Sequence, residues 1–154
     1  MAGMGTTLSA VILTERRNKI VHVGDSRIYG YVQGKLELLT EDHTLSSELV
    51  ARQIVSDKNI GKLPLRNVLS QAVGTKPAVE PDIEDLVLLP EEWLLLTTDG
   101  LYKTLSEARL AEAMMTAEKE GAQAMCRSLM RAALAAQPRD NVTLAIVRRI
   151  GGKK

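Results

Sequence analysis

The chain has 154 residues, 45% hydrophobic and 25% charged, a size and balance that predict one folded domain. Lys and Arg number 20 against 19 Asp and Glu, so no net field directs the chain to nucleic acid or an anionic membrane. Phe is absent, aromatics are 3% and Cys126 is the one cysteine, which excludes stacking platforms for single strands, an intrachain disulfide framework and a cysteine-rich zinc site.

No apolar run approaches the roughly 20 residues that span a bilayer. A single thiol fits a reducing compartment, and the first residues lack the basic leader of a signal peptide, so a cytoplasmic setting is expected.

Residues 7–13 read as a strand, 16–18 as a polar turn and 19–23 as a second strand, so these two are expected to form a hairpin. Gly24-Asp25-Ser26-Arg27 then interrupts the apolar pattern. Residues 28–32 and 36–39 flank Gln33-Gly34, a second hairpin whose glycine can take positive φ. Strands this short and close together predict an antiparallel sheet. Residues 44–55 carry Leu45, Leu49 and Val50 at helical spacing, with Thr44 or Ser46 as cap. Residues 56–65, with Gly61 and Pro64 and no periodicity, read as a surface loop. Residues 66–73 read as a short helix ended by Gly74, and 83–89 as a strand turned by Pro90-Glu91-Glu92.

The run Trp93-Leu94-Leu95-Leu96 is apolar throughout and bounded by turn signals, as a strand buried on both faces and central in its sheet would be. It delivers Asp99 to the strand end, where the backbone turns at Gly100. Thr104-Leu105-Ser106-Glu107 fits a capping box that opens a helix to about Glu120. Gly121 separates this from a helix over 122–136, with Met125, Cys126, Leu129, Met130, Ala133 and Leu134 on one core-facing stripe. Pro138 stops it. Arg139-Asp140-Asn141 opens a last strand over 142–149, and 151–154 form a tail.

Asp25, Asp99 and Asp140 have one thing in common: each stands beside Gly or Asn at the end of an apolar run. Each also has a plain reading. Asp-Gly is a common turn pair, though here a capped helix rather than a second strand follows, and Asp140 could bond its own backbone. Asp25 could pair with Arg27 for roughly 0–1 kcal/mol. Taken together, the three are expected to converge, because gathered carboxylates repel unless a cation neutralises them. Oxygen-only ligands suit magnesium or manganese. Gly100 and Asn141, beside two of the carboxylates, are the candidate cofactor-binding neighbours. His22, inside an apolar strand, reads as a packed, hydrogen-bonded histidine. His43, next to Asp42, could serve as a base, but a loop histidine without such a role is the plainer reading. Met114, Met115, Met125 and Met130 read as core filler, and Cys126 as a packed thiol rather than a nucleophile. There is no phosphate-loop, dinucleotide or Gly-x-Ser-x-Gly motif.

Eight motifs follow in order: Met4-Gly5-Thr6-Thr7; Val23-Gly24-Asp25-Ser26-Arg27 with Tyr29; Leu39-Thr40-Glu41-Asp42-His43; Glu48-Leu49-Val50; Arg66-Asn67-Val68-Leu69; Pro81-Asp82-Ile83; Leu95 to Gly100; and Asp140-Asn141-Val142-Thr143. In this series the sequence resembles the metal-dependent protein phosphatases, the PPM or type 2C family, in their bacterial serine/threonine form. The resemblance implies an α+β fold in a single domain over 1–150: a sandwich of two antiparallel sheets flanked by helices in α-β-β-α layers. A binuclear manganese or magnesium site would lie at one end. It implies that Asp99 and Asp140 are metal ligands and that Asp25 helps hold a looser third ion beside Asp99. Residues 56–65 match the family's variable flap. The implied activity is hydrolysis of phosphoserine and phosphothreonine on proteins by metal-activated water. The implied partners are phosphorylated proteins and a cognate serine/threonine kinase, with no nucleic acid or membrane.

The family's opening segment carries a phosphate-binding arginine, an early acidic ligand and a metal-bridging aspartate, and these have no counterpart here. A sandwich incomplete at its N-terminus, open sheet edges, self-association, weakened metal affinity and low turnover in isolation are therefore expected. The competing expectations are a non-catalytic module that binds a phosphoprotein or kinase, and a truncated product with no independent role.

Overall fold

The computed structural model describes residues 3–56, 59 and 67–150. Most of the expected loop over 56–65, Arg66 and the tail at 151–154 fall outside them. The contacts divide the chain into two compact units, Met1–Ser26 with Glu41–Leu86, and Arg27–Thr40 with Val87–Lys154.

The first unit holds a three-stranded antiparallel sheet in the order β1 (Leu8–Ile12), β2 (Asn18–Val23), β5 (Asp82–Leu86). Its register puts Ser9 opposite His22 and His22 opposite Asp82, so these three polar side chains form one row across the sheet. Ile20 and Leu86, on that same face by alternation, are buried; on the opposite face Leu8, Ile12 and Ile83 are exposed. β5 stops at Leu86, short of the expected Leu89, because β2 has no paired residue beyond Asn18 to face it.

Helix α1 (Leu45–Ala51) is capped by Thr44, whose hydroxyl accepts from Ser47 N at 3.2 Å. It ends four residues before the expected Val55. Gln53 adopts a φ of +58°, with Gln53 N bonded to Val50 O at 2.7 Å and Ile54 N to Leu49 O at 2.9 Å. That left-handed residue with its two reversed hydrogen bonds is a Schellman stop. The helix expected from 66 to 73 is absent over its described part, 67–73. Leu45 N donates to Val68 O, Ser70 N to His43 O, and Thr6 and Val73 exchange both backbone bonds. Extended pairing with distant segments satisfies these groups, and it overrides a weak local helical preference.

The second unit holds an antiparallel sheet ordered β4 (Lys35–Leu38), β3 (Arg27–Val32), β6 (Trp93–Thr97), β7 (Leu144–Arg148). The four early strands therefore do not share a sheet: the chain changes sheets at 24–26. In the β3–β4 turn both Gln33 (φ +47°) and Gly34 (φ +81°) are left-handed, as a tight hairpin requires. The strand β6 is interior, as expected, between β3 and β7. Trp93, Leu94 and Leu95 are 2%, 1% and 0% exposed, so both of its faces are covered.

A short helix α2 (Asp99–Tyr102) follows β6, then α3 (Glu107–Ala117), a 3-10 turn over Glu118–Glu120, and α4 (Ala122–Ala135). Tyr29, Tyr31, Trp93 and Leu95 form one apolar cluster with Leu110 and Met114 of α3 and Met125, Leu129 and Ala133 of α4. Two details of the expected helices change. Leu134 and Met115 are exposed, because each lies one position, about 100° around the helix, from the buried line. The cap of α3 is Ser106, accepting from Arg109 N, rather than Thr104. Thr104 N still bonds Leu101 O, so Thr104 belongs to the turn that finishes α2 and cannot begin the next helix. No helix among the described residues is long and apolar enough to cross a membrane.

Candidate functional site

The second unit brings Asp99 and Asp140 to neighbouring chain segments. β6 and β7 end their ladder at Thr97 opposite Leu144. One step further, Thr98 N donates to Thr143 O at 3.0 Å, and Thr143 N donates to Thr98 Oγ1 at 3.1 Å. Thr98 Oγ1 also reaches Asn141 O at 3.3 Å, and Thr97 Oγ1 reaches Thr143 O at 3.2 Å. Two threonine hydroxyls thus staple the start of α2 to 141–143. Gly100 completes the approach: a Cβ there would lie 2.3 Å from Asn141 O and 3.1 Å from Asp140 O. The glycine is needed for closeness and not, as the sequence suggested, for a turn. Asp99 opens α2, with Thr98 at the N-cap.

Both carboxylates already have local partners. Asp99 Oδ2 lies 2.8 Å from Lys103 Nζ, an i,i+4 pair. Asp140 Oδ1 accepts from Asn141 N at 2.7 Å, the own-backbone contact foreseen as its plain reading. The donors fit a hard divalent cation on two grounds. They are carboxylate oxygens on abutting segments, and Lys103 holds a positive charge against Asp99. Magnesium characteristically uses one or two carboxylates and completes its shell with water and phosphate oxygen. Among the described residues no three His, Cys, Asp or Glu side chains form a group that could hold a metal by themselves.

Sequence reasoning missed Lys103 as the partner of Asp99. The Arg27 guanidinium stacks 3.9 Å from the Tyr102 ring centroid and donates to Tyr29 Oη at 3.1 Å, and Lys103 Nζ is 5.8 Å from the same centroid. The i,i+4 spacing of Asp99 and Lys103 was the available signal.

In the first unit Asp25 stands in the 24–26 loop, between two clamped residues. Gly24 has a φ of +107°, and a Cβ on it would come within 2.4 Å of Thr7 Cγ2. Its carbonyl accepts from His43 N at 2.7 Å, and its N–H donates to His43 Nδ1 at 3.3 Å. Ser26 is held by Ser9 Oγ, which donates to its carbonyl at 2.6 Å, and by a 2.8 Å hydroxyl contact with Thr7. His43 is buried, not a loop bystander, and its Nε2 lies 2.9 Å from Asp82 Oδ2. His22 is packed as expected, with Nδ1 2.9 Å from Ser9 Oγ, and its buried Nε2 makes no well-formed hydrogen bond among the described residues. Burial, and then the His43 ring 5.0 Å away, hold the His22 pKa below its usual value.

Residues 51–150 match the family model described as Stage II sporulation protein E (SpoIIE). The chain is 33% identical over 148 residues to a putative 2C-type protein phosphatase of Streptococcus pyogenes, covering 94% of itself and 58% of that relative. A solved serine/threonine phosphatase of S. agalactiae superposes with a TM-score of 0.87 at 33% identity, over 96% of this chain and 60% of that one. The catalytic domain of the serine/threonine protein phosphatase PstP, solved with two manganese ions, superposes with a TM-score of 0.81 at 28% identity, over 98% of this chain and 61% of that one. The chain thus spans about 58% of the length of the first curated relative it matches.

Proposed function

We propose a function on one premise: this chain belongs to the metal-dependent protein phosphatase family, PPM or type 2C, through its SpoIIE-type domain. Its task is hydrolysis of phosphoserine and phosphothreonine on proteins. The observation that carries this reading is the stapling of Asp99 and Asp140 onto abutting segments around Gly100. Asp99 and Asp140 would hold the catalytic cations, two manganese or magnesium ions, and Asp25 would contribute to a looser third. When bound, such ions orient a phosphate, acidify a water and offset charge during in-line attack. The chain's own residues supply the rest. Lys103 balances Asp99 and yields it to a divalent cation, Gly100 keeps the segments in contact, and Asn141 fixes the Asp140 carboxylate through its N–H.

Phosphorylated proteins are the substrates in this reading, and the serine/threonine kinase that makes them is the partner. A cytoplasmic setting follows from that pairing. The half-exposed Leu8, Ile12 and Ile83 on the outer strands of the first sheet support self-association. The test is manganese-dependent phosphate release from a phosphothreonine peptide, by this chain alone and fused to the additional segment of its longer relatives. We expect low turnover alone and restored turnover in the fusion. We also expect Asp99→Asn to remove the calorimetric manganese signal. Absence of phosphate release in both forms, or unchanged manganese binding in Asp99→Asn, overturns the assignment.

A further inference from the structure

The buried polar network of the first unit has few enough protons that their positions can be counted. Ser9 has one hydroxyl proton, and its Oγ lies 2.6 Å from Ser26 O, which can only accept. The 2.9 Å contact between that Oγ and His22 Nδ1 therefore takes its proton from the ring. The Gly24 N–H is aimed at His43 Nδ1, so this nitrogen is an acceptor and the His43 ring proton sits on Nε2. From there it is donated to Asp82 Oδ2 at 2.9 Å. The Asp82 carboxylate thus selects the tautomer that leaves Nδ1 open to the Gly24 amide.

His43 also grips Gly24 a second time, through its own N–H to Gly24 O. One residue engages both backbone polar groups of the glycine just before Asp25, while Ser9 and Thr7 engage Ser26 just after it. Gly24 is left-handed, and a Cβ on it would come within 2.4 Å of Thr7 Cγ2, so glycine is what lets the chain pass this close to Thr7 at that φ. We propose that His43, oriented by Asp82, is a positioning residue for Asp25: it fixes the loop geometry from which the Asp25 carboxylate meets a cation. The proposal rests on the reading of Asp25 as a cation ligand. Residues behind a ligand commonly set its direction and affinity in this way.

The test compares the full chain with His43→Asn, His43→Gln and Asp25→Asn. Asparagine puts an oxygen acceptor near the position of Nδ1 and gives up Asp82; glutamine keeps the reach to Asp82 and gives up the acceptor. The readouts are hydrogen exchange of the Gly24 amide, by NMR, and calorimetric titration with manganese. His43→Gln should speed Gly24 exchange about tenfold and weaken the Asp25-dependent manganese event about tenfold, with His43→Asn restoring much of both. Unchanged Gly24 exchange and manganese binding in His43→Gln, where Asp25→Asn does weaken binding, overturns the positioning role. Equal losses in both His43 variants with a lowered Tm also overturn it, because His43 is then a packing residue only. An unchanged titration in Asp25→Asn removes Asp25 as a ligand and with it the role proposed here, while leaving Asp99 and Asp140 to be judged by their own variants.

Discussion

In the second unit, Tyr29, Tyr31, Trp93 and Leu95 of the sheet close against α3 and α4, and the main apolar cluster lies wholly within that unit. In the first, Ile20, Val23, Ala72 and Leu86 share the interior with His22, His43, Thr44 and Ser46, and outer-strand apolar side chains stay exposed. The second unit is held chiefly by burial, which is non-directional and scales with area. The first depends more on hydrogen bonds, which are directional and costly to leave half made. The lesson is that each candidate ligand is built in the manner of its own unit. The segments that carry Asp99 and Asp140 abut by close backbone approach, whereas Asp25 sits in a loop pinned by polar side chains.

That contrast can be broken or sharpened by experiment. The largest effect is expected from Leu95→Ala, which opens a cavity at a fully buried position and should cost about 2–5 kcal/mol in urea unfolding. A loss under about 1 kcal/mol would mean that the second unit is not governed by its core. Gly100→Ala comes next, since its Cβ would lie 2.3 Å from Asn141 O. It should cost about 1–3 kcal/mol and abolish manganese uptake although every carboxylate is retained. Wild-type titration in that variant would show that backbone closeness does not make the site. In the first unit, Thr44→Ala removes the α1 cap and should cost about 1 kcal/mol by thermal or urea unfolding. The smallest effect is confined to acid. His22 is depressed in the fold by burial and by His43, while Asp82 nearby acts in the opposite sense. The unfolded chain therefore binds the proton more readily, and stability should fall as pH drops below the ordinary histidine value of 6.5. Replacing His22 with Asn should flatten that part of the stability–pH curve relative to wild type; identical slopes would remove His22 as the cause.

Much of the fold was legible because its signals are local. Hairpin chemistry at Gln33-Gly34, the apolar run of β6, the Thr44 cap and the Gly121 break between α3 and α4 depend on residues within a turn or two of one another. Some errors fell where a distant group intervened, and others where a nearby residue was already engaged. Residues 67–73 pair with Thr6, His43 and Leu45 instead of coiling, and Thr104 is used by the end of α2 before it can cap α3. The candidate site divided in the same way. Asp25, Asp99 and Asp140 stood out by their position at the ends of apolar runs, but Lys103 and the role of His43 did not.

By itself, then, the sequence determined most of the strand and helix inventory, the acidic residues at strand ends and the family motifs that contain them, because periodicity, turn chemistry and motif order are properties of neighbouring residues. Only the tertiary structure decided that the early strands divide between two sheets, that Gly100 is required by Asn141, and that Asp82 orients His43. Those facts join groups 43 residues apart in the Thr98–Asn141 bond and 39 apart in the His43–Asp82 pair. No local preference encodes such distances; they are set when strands pair within each sheet and bring their ends together.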